Sequence, residues 1–216
     1  MKNKLKYALI LTIVLSSVLG SLATATATTA FQGGYSGLIR TPTAEIAPAQ
    51  KATIGYRYLA GTNKLVVNYG MDGNLELGLT GLSWLENEDS ELALNAKLKL
   101  LAEDSRQPAL AVGLIEEDLY LAVSQSLNYF GLRAHIGVGN GRFENIFGGI
   151  TKTINPVSIL TEDSWFQLPI TTLIFEYDGA DFNFGADFKM SSQLDLNLAL
   201  NDFSELGAGV TFSNRF

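Results

Sequence analysis

Strict alternation of apolar and polar residues is the feature that most constrains the fold of this chain. Over residues 194–201 leucine occupies every second position, and over 181–188 phenylalanine alternates with Asp, Asn and Gly. A period of two is that of a β-strand with one apolar face. Similar runs recur from residue 51 to the end, so we expect about twelve strands, with ten to fourteen compatible with the pattern. The predicted strands cover 52–59, 63–70, 74–80, 92–100, 108–115, 118–126, 132–139, 143–151, 170–178, 181–188, 194–201 and 206–216.

The sequences between these runs predict antiparallel pairing. Asp72-Gly73, Asn140-Gly141 and Asp178-Gly179 each separate two alternating segments. Such dipeptides favour tight hairpins in which both central residues have positive φ. No amphipathic segment of helical length intervenes, so parallel βαβ units are excluded.

The N-terminal residues predict export. Three lysines within the first six residues precede an apolar stretch, and Ala25-Thr26-Ala27 fits a small-x-small cleavage site. Residues 1–27 are therefore predicted to be a cleaved signal peptide, with an uncleaved anchor helix as the alternative. Residues 28–50 carry glycines and two prolines and are predicted to be irregular, either in the periplasm or inside a barrel. Residues 51–216 are predicted to form the barrel.

Composition excludes several kinds of function. The chain has no cysteine, which removes disulfides, thiolate metal sites and a cysteine nucleophile. Without the three lysines of the leader, 12 of the 15 basic residues remain against 22 acidic ones, a net charge of −10. Such a charge repels phosphates, so nucleic acid is not expected as a partner. The sequence predicts no metal site and no cofactor.

The apolar rows consist almost entirely of Leu and Phe, whereas the opposite rows mix charged residues, amides and glycine. After the leader no apolar run is long enough for a membrane helix, so membrane insertion requires a closed barrel. We therefore predict an all-β, antiparallel transmembrane β-barrel in the outer membrane of a diderm bacterium, with its apolar rows facing lipid. The residues that we predict on the outer wall include Phe182, Phe184, Leu194, Leu196 and Leu198. Aromatic girdles are predicted from Tyr56, Tyr58, Tyr69, Tyr120, Tyr129, Phe130, Phe143, Tyr177 and Phe203.

The final residue adds a separate indication. Phe216 lies on the same face as Phe212 and Val210. A terminal strand of this kind resembles the signal that the barrel-assembly machinery reads in outer-membrane proteins. The expected partners are therefore outer-membrane lipid and, through Phe216, that machinery.

The polar faces supply the candidate lumen-lining residues. If the interior is wet, mixed charges there tune the passage of ions or polar solutes, and if it is dry, they must pair with one another. We favour pairing with partial hydration, because about twelve strands leave a narrow bore. The candidates are Glu76, Lys97, Lys99, Arg133, His135, Asp187 and Asp195.

His135 is the only histidine. Ser124 and Ser126 on the preceding predicted strand lie within reach of it, which leaves a lipid-modifying enzyme as a minor alternative. A lone histidine on a polar strand face is more often a hydrogen-bond partner, so no catalytic residue is predicted. The acidic run 116–118 is interpreted as a solvated turn. The glycines of 137–141 are not followed by a helix and do not predict a nucleotide loop.

Two segments resemble the YjbH-type outer-membrane proteins. The segment 34–44, Gly-Tyr-Ser-Gly-Leu-Ile-Arg-Thr-Pro-Thr-Ala, is similar to the opening motif of that family, and 173–179 is similar to its apolar-Glu-Tyr-Asp-Gly hairpin. The resemblance implies an outer-membrane barrel linked to exopolysaccharide biosynthesis or export, and this chain is much shorter than a typical member. The motif residues are Gly37, Leu38, Ile39, Pro42, Thr43, Ala44, Glu176, Tyr177, Asp178 and Gly179.

The sequence thus favours a non-enzymatic outer-membrane barrel with a role in exopolysaccharide or envelope organisation, with polysaccharide or export components as further partners. The alternative is a small porin-like channel for ions or polar solutes. A lipid-modifying enzyme and a soluble periplasmic β-protein are less favoured. The ligand, the oligomeric state, the role of 153–168 and whether the lumen is open or plugged stay undecided by sequence.

Overall fold

A computed structural model describes residues 30–59, 61–82, 92–127, 131–154 and 169–216. Within these ranges twelve antiparallel strands follow one another around a closed barrel, and β1 pairs with β12. The strands are β1 Lys51–Leu59, β2 Thr62–Gly70, β3 Leu75–Leu82, β4 Leu92–Leu101, β5 Ala109–Ile115, β6 Asp118–Ser126, β7 Leu132–Gly139, β8 Phe147–Thr153, β9 Ile170–Tyr177, β10 Phe182–Lys189, β11 Leu194–Asn201 and β12 Glu205–Arg215. The predicted fold class and strand number are confirmed.

Closure leaves no free sheet edge. The register of β1 against β12 runs from Lys51 opposite Arg215 to Leu59 opposite Gly207. Both strands therefore have a hydrogen-bonded neighbour on each side, as a membrane-embedded sheet requires. Across the described ranges, helices long and apolar enough to cross a membrane are not found.

The apolar rows face outward. Phe182 is 47% exposed and Leu198 is 45% exposed, although each belongs to a strand that is paired with a neighbour on both sides. Phe184, Leu194 and Leu196 are exposed as well, so the predicted outer wall is confirmed. An apolar wall around a closed antiparallel cylinder is the architecture of outer-membrane barrels, and the chain belongs in that membrane.

The predicted aromatic girdles need correction. Tyr56, Tyr58, Tyr69, Tyr177 and Phe203 are exposed on the wall or its rim. Tyr120 and Phe143 are instead buried inside the barrel, where their rings pack edge to face at 5.4 Å. Both belong to the inner face or to a loop that folds inward, which alternation alone did not separate from the rim. Tyr129 and Phe130 lie outside the described residues.

Two turns also differ from expectation. Asn140 has φ −119°, and Gly141 begins a short 3₁₀ turn over Gly141–Phe143, so this connection is not a two-residue hairpin. β8 consequently begins at Phe147 rather than at 143. At the other two turns Gly73 and Gly179 have positive φ while their aspartates do not. The Asp72 and Asp178 carboxylates instead accept hydrogen bonds from backbone N–H groups within the turn.

The barrel has two ends that are used below as reference points. The terminal end carries Lys51 and Phe216, where Phe216 N donates to Gln50 O at 2.9 Å. The distal end carries the turns after β1, β5, β7, β9 and β11. The predicted signal peptide and residues 155–168 of the long β8–β9 connection lie outside the described residues.

Candidate functional site: the lumenal segment

Residues 30–50, here called the lumenal segment, lie inside the barrel. Of the two locations left open by the sequence, the structure thus gives the lumen. Fourteen of its first eighteen residues, 30–47, are buried. Its centre is a tight hairpin, in which Gly37 forms an antiparallel bridge with Pro42 and Leu38 N donates to Thr41 O at 2.9 Å.

The barrel wall satisfies the backbone of this segment. Glycines and prolines prevent it from forming a regular strand, so its N–H groups need other acceptors. Side chains of the wall supply them: Thr80 Oγ1 accepts from Gly34 N at 2.8 Å, and Ser124 Oγ accepts from Ala44 N at 2.9 Å. Two glutamates supply the rest, one toward each end of the lumen.

Glu176 on β9 holds the tip of the hairpin near the distal end. Its carboxylate accepts hydrogen bonds from the backbone N–H groups of Ile39, Arg40 and Thr41 at 2.9 to 3.1 Å. The Thr41 hydroxyl donates to it at 2.8 Å, and Asn183 Nδ2 donates at 2.9 Å. Three successive N–H groups around one anion form a backbone nest, which can stabilise the buried charge without a cation.

Glu76 on β3 holds the base of the hairpin toward the terminal end. Its carboxylate accepts from Ser36 N and Ala47 N, both at 2.7 Å, and from the Ser36 hydroxyl. Lys97 lies opposite it on β4, with Nζ 3.6 Å from Glu76 Oε1 and both side chains fully buried. Lys97 also donates to Ser36 O and Glu45 O, so this ion pair binds both strands of the hairpin.

Ser124 and His135 meet on adjacent strands, with Ser124 Oγ 2.9 Å from His135 Nδ1. Because Ser124 Oγ accepts from Ala44 N, the arrangement that uses every group has its hydroxyl donating to Nδ1 and Nε2–H donating to Thr151 Oγ1 at 3.3 Å. Ser124 is fully buried beneath the lumenal segment. The pair therefore anchors that segment, and its hydroxyl has no path to a substrate in this arrangement.

Glycines on the wall allow the segment to lie directly on the sheet. A Cβ at Gly78 would be 1.7 Å from Gly34 O, and a Cβ at Gly70 would be 2.3 Å from Ala47 O. Backbone meets backbone at these two places, so a larger residue would displace the segment.

The distal half of the lumen is more apolar than predicted. In one cluster Ala30 and Tyr35 of the segment pack against residues of the wall and of the β7–β8 connection. In a second cluster Phe31, Leu38 and Ile39 of the segment pack against residues of the wall. The wall and loop members are Ile115, Tyr120, Ala122, Phe143 and Phe147 in the first, and Leu59, Ile174 and Ala199 in the second. In the distal half apolar contacts thus add to the hydrogen bonds of Glu176, whereas a buried ion pair holds the segment in the terminal half.

The structure places all seven candidate lumen-lining residues on the inner face. Glu76, Lys97 and His135 are buried against the lumenal segment, and Lys99, Arg133, Asp187 and Asp195 are half-buried. Arg133 forms ion pairs with Glu45 at 2.8 Å and Glu103 at 2.7 Å. Asp187 accepts from Asn197 Nδ2 at 2.7 Å.

A cavity of about 330 Å³ opens at the distal mouth. Arg40 and Thr41 of the hairpin tip line it together with the β7–β8 and β9–β10 connections. Arg40 Nε lies 3.3 Å from Asp178 Oδ2. Burial opposes ionisation of Asp178, but the N–H groups of Asp181 and Ala180 and the Arg40 guanidinium outweigh it and hold the pKa of this carboxyl below its usual range.

The two motif segments quoted in the sequence analysis meet in space. Gly37 to Ala44 form most of the hairpin, Glu176 and Tyr177 end β9, and Asp178 and Gly179 form the following turn. Their contact is the hydrogen bonding of Glu176 to the hairpin tip. Sequence reasoning did not single out Arg57, although its position between two outward tyrosines signals an inward charge. Among the described residues no group of three or more His, Asp or Glu side chains is arranged to hold a metal ion.

Comparison with known proteins gives structural neighbours and no family. No protein-family model matches the chain, and no curated protein matches it. A KdgM porin in complex with disordered oligogalacturonate is 10% identical, with 77% of this chain and 99% of that chain covered and a TM-score of 0.46. The Acinetobacter baumannii outer-membrane protein Omp33 is 9% identical, with coverage of 78% and 98% and a TM-score of 0.45. No family model supports the identification as a YjbH-type exopolysaccharide protein, and the structural neighbours found are a KdgM porin and Omp33, so that identification is wrong.

Proposed function

We propose that this protein is a non-enzymatic outer-membrane channel for small polar solutes, and that the lumenal segment closes it. The observation that carries the proposal is the way in which the segment is held. Its backbone amides donate hydrogen bonds to carboxylate and hydroxyl groups of the wall. When the segment moves away, water can form hydrogen bonds with both sets of groups equally well. A barrel that served only as a membrane anchor, with its interior permanently filled, would not need a charged inner wall beneath the lumenal segment.

The hairpin tip is the part of the segment that we expect to move. It is held by one carboxylate, Glu176, and by apolar contacts, and it borders the cavity at the distal mouth through Arg40 and Thr41. The base is held by a buried ion pair, by Ser124 and by direct backbone contact at Gly78. Displacement of the tip opens the distal half while the base stays in place.

The substitution Glu176→Gln tests this proposal in planar bilayers. The glutamine amide presents N–H donors to backbone N–H donors, so the tip loses part of its anchor, at a cost of about 1–3 kcal/mol. We expect rare, small conductance steps from the unmodified protein and more frequent, larger steps from the variant. Glu144→Gln changes an exposed carboxylate at the same mouth and is the matched control, expected to behave like the parent.

A reversible lock provides the complementary test. The chain has no cysteine, and Ile39 of the hairpin tip packs in one cluster with Ile174 of β9 and Ala199 of β11. Cysteines at Ile39 and at Ile174 or Ala199 should form a disulfide that fixes the tip, and conductance should appear only after reduction. Absence of conductance in every variant and condition would remove the channel proposal.

The remaining partners are part of the same proposal. Outer-membrane lipid would cover the exposed leucine and phenylalanine rows. Phe216, 42% exposed at the terminal end, would be read by the barrel-assembly machinery before β12 closes on β1. Truncation of Phe216 alone should lower the yield of heat-modifiable barrel in membranes without altering the channels that do assemble.

A further inference from the structure

Basic residues are concentrated on the inner face of this acidic protein. The twelve strands carry nine Lys or Arg residues, and the register places eight of them inward and only Lys152 outward. The six acidic residues of the strands also face inward, so the inner wall has a net charge of +2, against −10 for residues 28–216. The inward cations are Lys51, Arg57, Lys64, Lys97, Lys99, Arg133, Lys189 and Arg215.

Away from the strand ends the inner wall keeps a small excess of positive charge. Asp118 and Glu205 begin their strands at the distal end, and Lys51, Lys189 and Arg215 lie at strand ends on the terminal side, which leaves four carboxylates and five cations between the two rims. One of those four, Glu76, is paired with Lys97, and another, Glu176, is already surrounded by N–H donors. Charges that line a narrow, low-dielectric bore act strongly on passing ions, so this distribution favours anions.

Arg57 is the inward cation with the most distinctive surroundings. Its guanidinium is buried, with Nη1 donating to Val210 O at 2.7 Å and Nη2 donating to Thr211 Oγ1. Its Nε has no hydrogen-bond partner, and among the described residues no carboxylate lies within ion-pair distance of it. Asp187 and Asp195 act on it only at longer range. A buried cation without a contacting anion is costly, so an anion that reaches it is stabilised there.

The lumenal segment covers this position. The ring of Phe31 lies over the Arg57 guanidinium, with its centroid 5.7 Å from Cζ. On the wall side, Gly209 leaves room for the arginine stem, since a Cβ there would be 2.3 Å from Cδ. Arg57 therefore lies flat against the barrel beneath an aromatic cover, and movement of Phe31 exposes the free Nε–H toward the lumen.

We infer that the channel prefers anions, such as small solutes that carry carboxylate or phosphate groups, and that Arg57 sets this preference. The inference rests on the proposed channel function. Arg57 acts as a charged contact that an anion meets once the lumenal segment has moved, and the surrounding lysines raise the local concentration of anions. No bond is made or broken in this role.

Reversal potentials in a KCl gradient test the inference with the full-length chain, in the parent and in the Glu176→Gln background. We expect the reversal potential to be shifted toward the equilibrium potential of chloride. Arg57→Gln should reduce the chloride-to-potassium permeability ratio about fivefold, the factor that corresponds to one unit-charge contact of ~1 kcal/mol in water. Arg57→Lys should keep most of the preference, and Lys152→Gln on the outer wall should leave it unchanged.

The outcomes separate the two proposals. Channels that open but prefer potassium, or a permeability ratio unchanged by Arg57→Gln in a barrel with normal heat-modifiable migration, would overturn the assignment of Arg57. If no variant conducts, the channel itself fails. Replacement of chloride by gluconate with retained anion current would extend the preference to carboxylates, and block of the current by gluconate would support a carboxylate contact in the bore.

Discussion

The two halves of the lumen hold the same piece of chain by different physical means. In the terminal half Glu76 binds the hairpin base with Lys97 beside it, and both side chains are fully buried. In the distal half Glu176 binds the tip through backbone N–H groups, and two apolar clusters surround it. This difference shows that one barrel interior can hold the base of a hairpin through a buried ion pair and its tip through a single carboxylate.

The largest expected effect breaks the terminal attachment. Lys97→Met leaves Glu76 as a buried charge without a cation and removes the donor to two carbonyls of the lumenal segment. Loss of one partner of a buried pair costs about 3–5 kcal/mol. Urea unfolding in phospholipid vesicles, followed by gel migration, should show this loss. Lys99→Met, half-buried on the same strand, should change the free energy of unfolding by less than about 0.5 kcal/mol; equal losses would contradict the comparison.

A smaller effect separates anchoring from catalysis in the terminal half. Ser124→Ala removes the acceptor of Ala44 N and the donor to His135. An unsatisfied buried N–H costs about 1–3 kcal/mol, so the free energy of unfolding should fall by that amount and the urea midpoint should fall with it. The lipid composition of cells that express the variant should equal that of cells with the parent protein. A change in lipid acylation with an unchanged midpoint would instead support an enzyme that uses this serine.

The smallest effect concerns the distal tip and depends on pH. The pKa of Asp178 lies below its usual value near 3.8, so its stabilising contribution is present above that value and is lost as the pH falls through the lowered pKa. Channel opening should therefore become more frequent only in acid, below about pH 4, as Asp178 releases Arg40. Asp178→Asn should open more often at neutral pH. Asp72→Asn, at an exposed turn of the terminal end, is the control; if it has the same effect, the tip is not the sensitive region.

The alternation of apolar and polar residues along the sequence was sufficient to predict the strands of the barrel. Alternation in 181–201 identified β10 and β11 and their outward phenylalanines and leucines, because the period of a strand is a property of neighbouring residues. The same reasoning failed at Phe143 and Tyr120, which are aromatic residues near strand ends that turn inward rather than to the rim. Whether an end residue faces lipid or the lumen depends on the path of the next loop, which alternation does not contain.

The sequence by itself predicted about twelve antiparallel strands, the apolar rows that face lipid and seven of the polar residues that face the axis, since all three follow from spacing along short segments. Only the tertiary structure decided that residues 30–50 lie within the cylinder and which wall groups hold them. The decisive contact joins Ile39 to Glu176, 137 positions apart. Such a contact exists only after the barrel has closed, because closure alone brings β9 and the N-terminal segment to the same point in space.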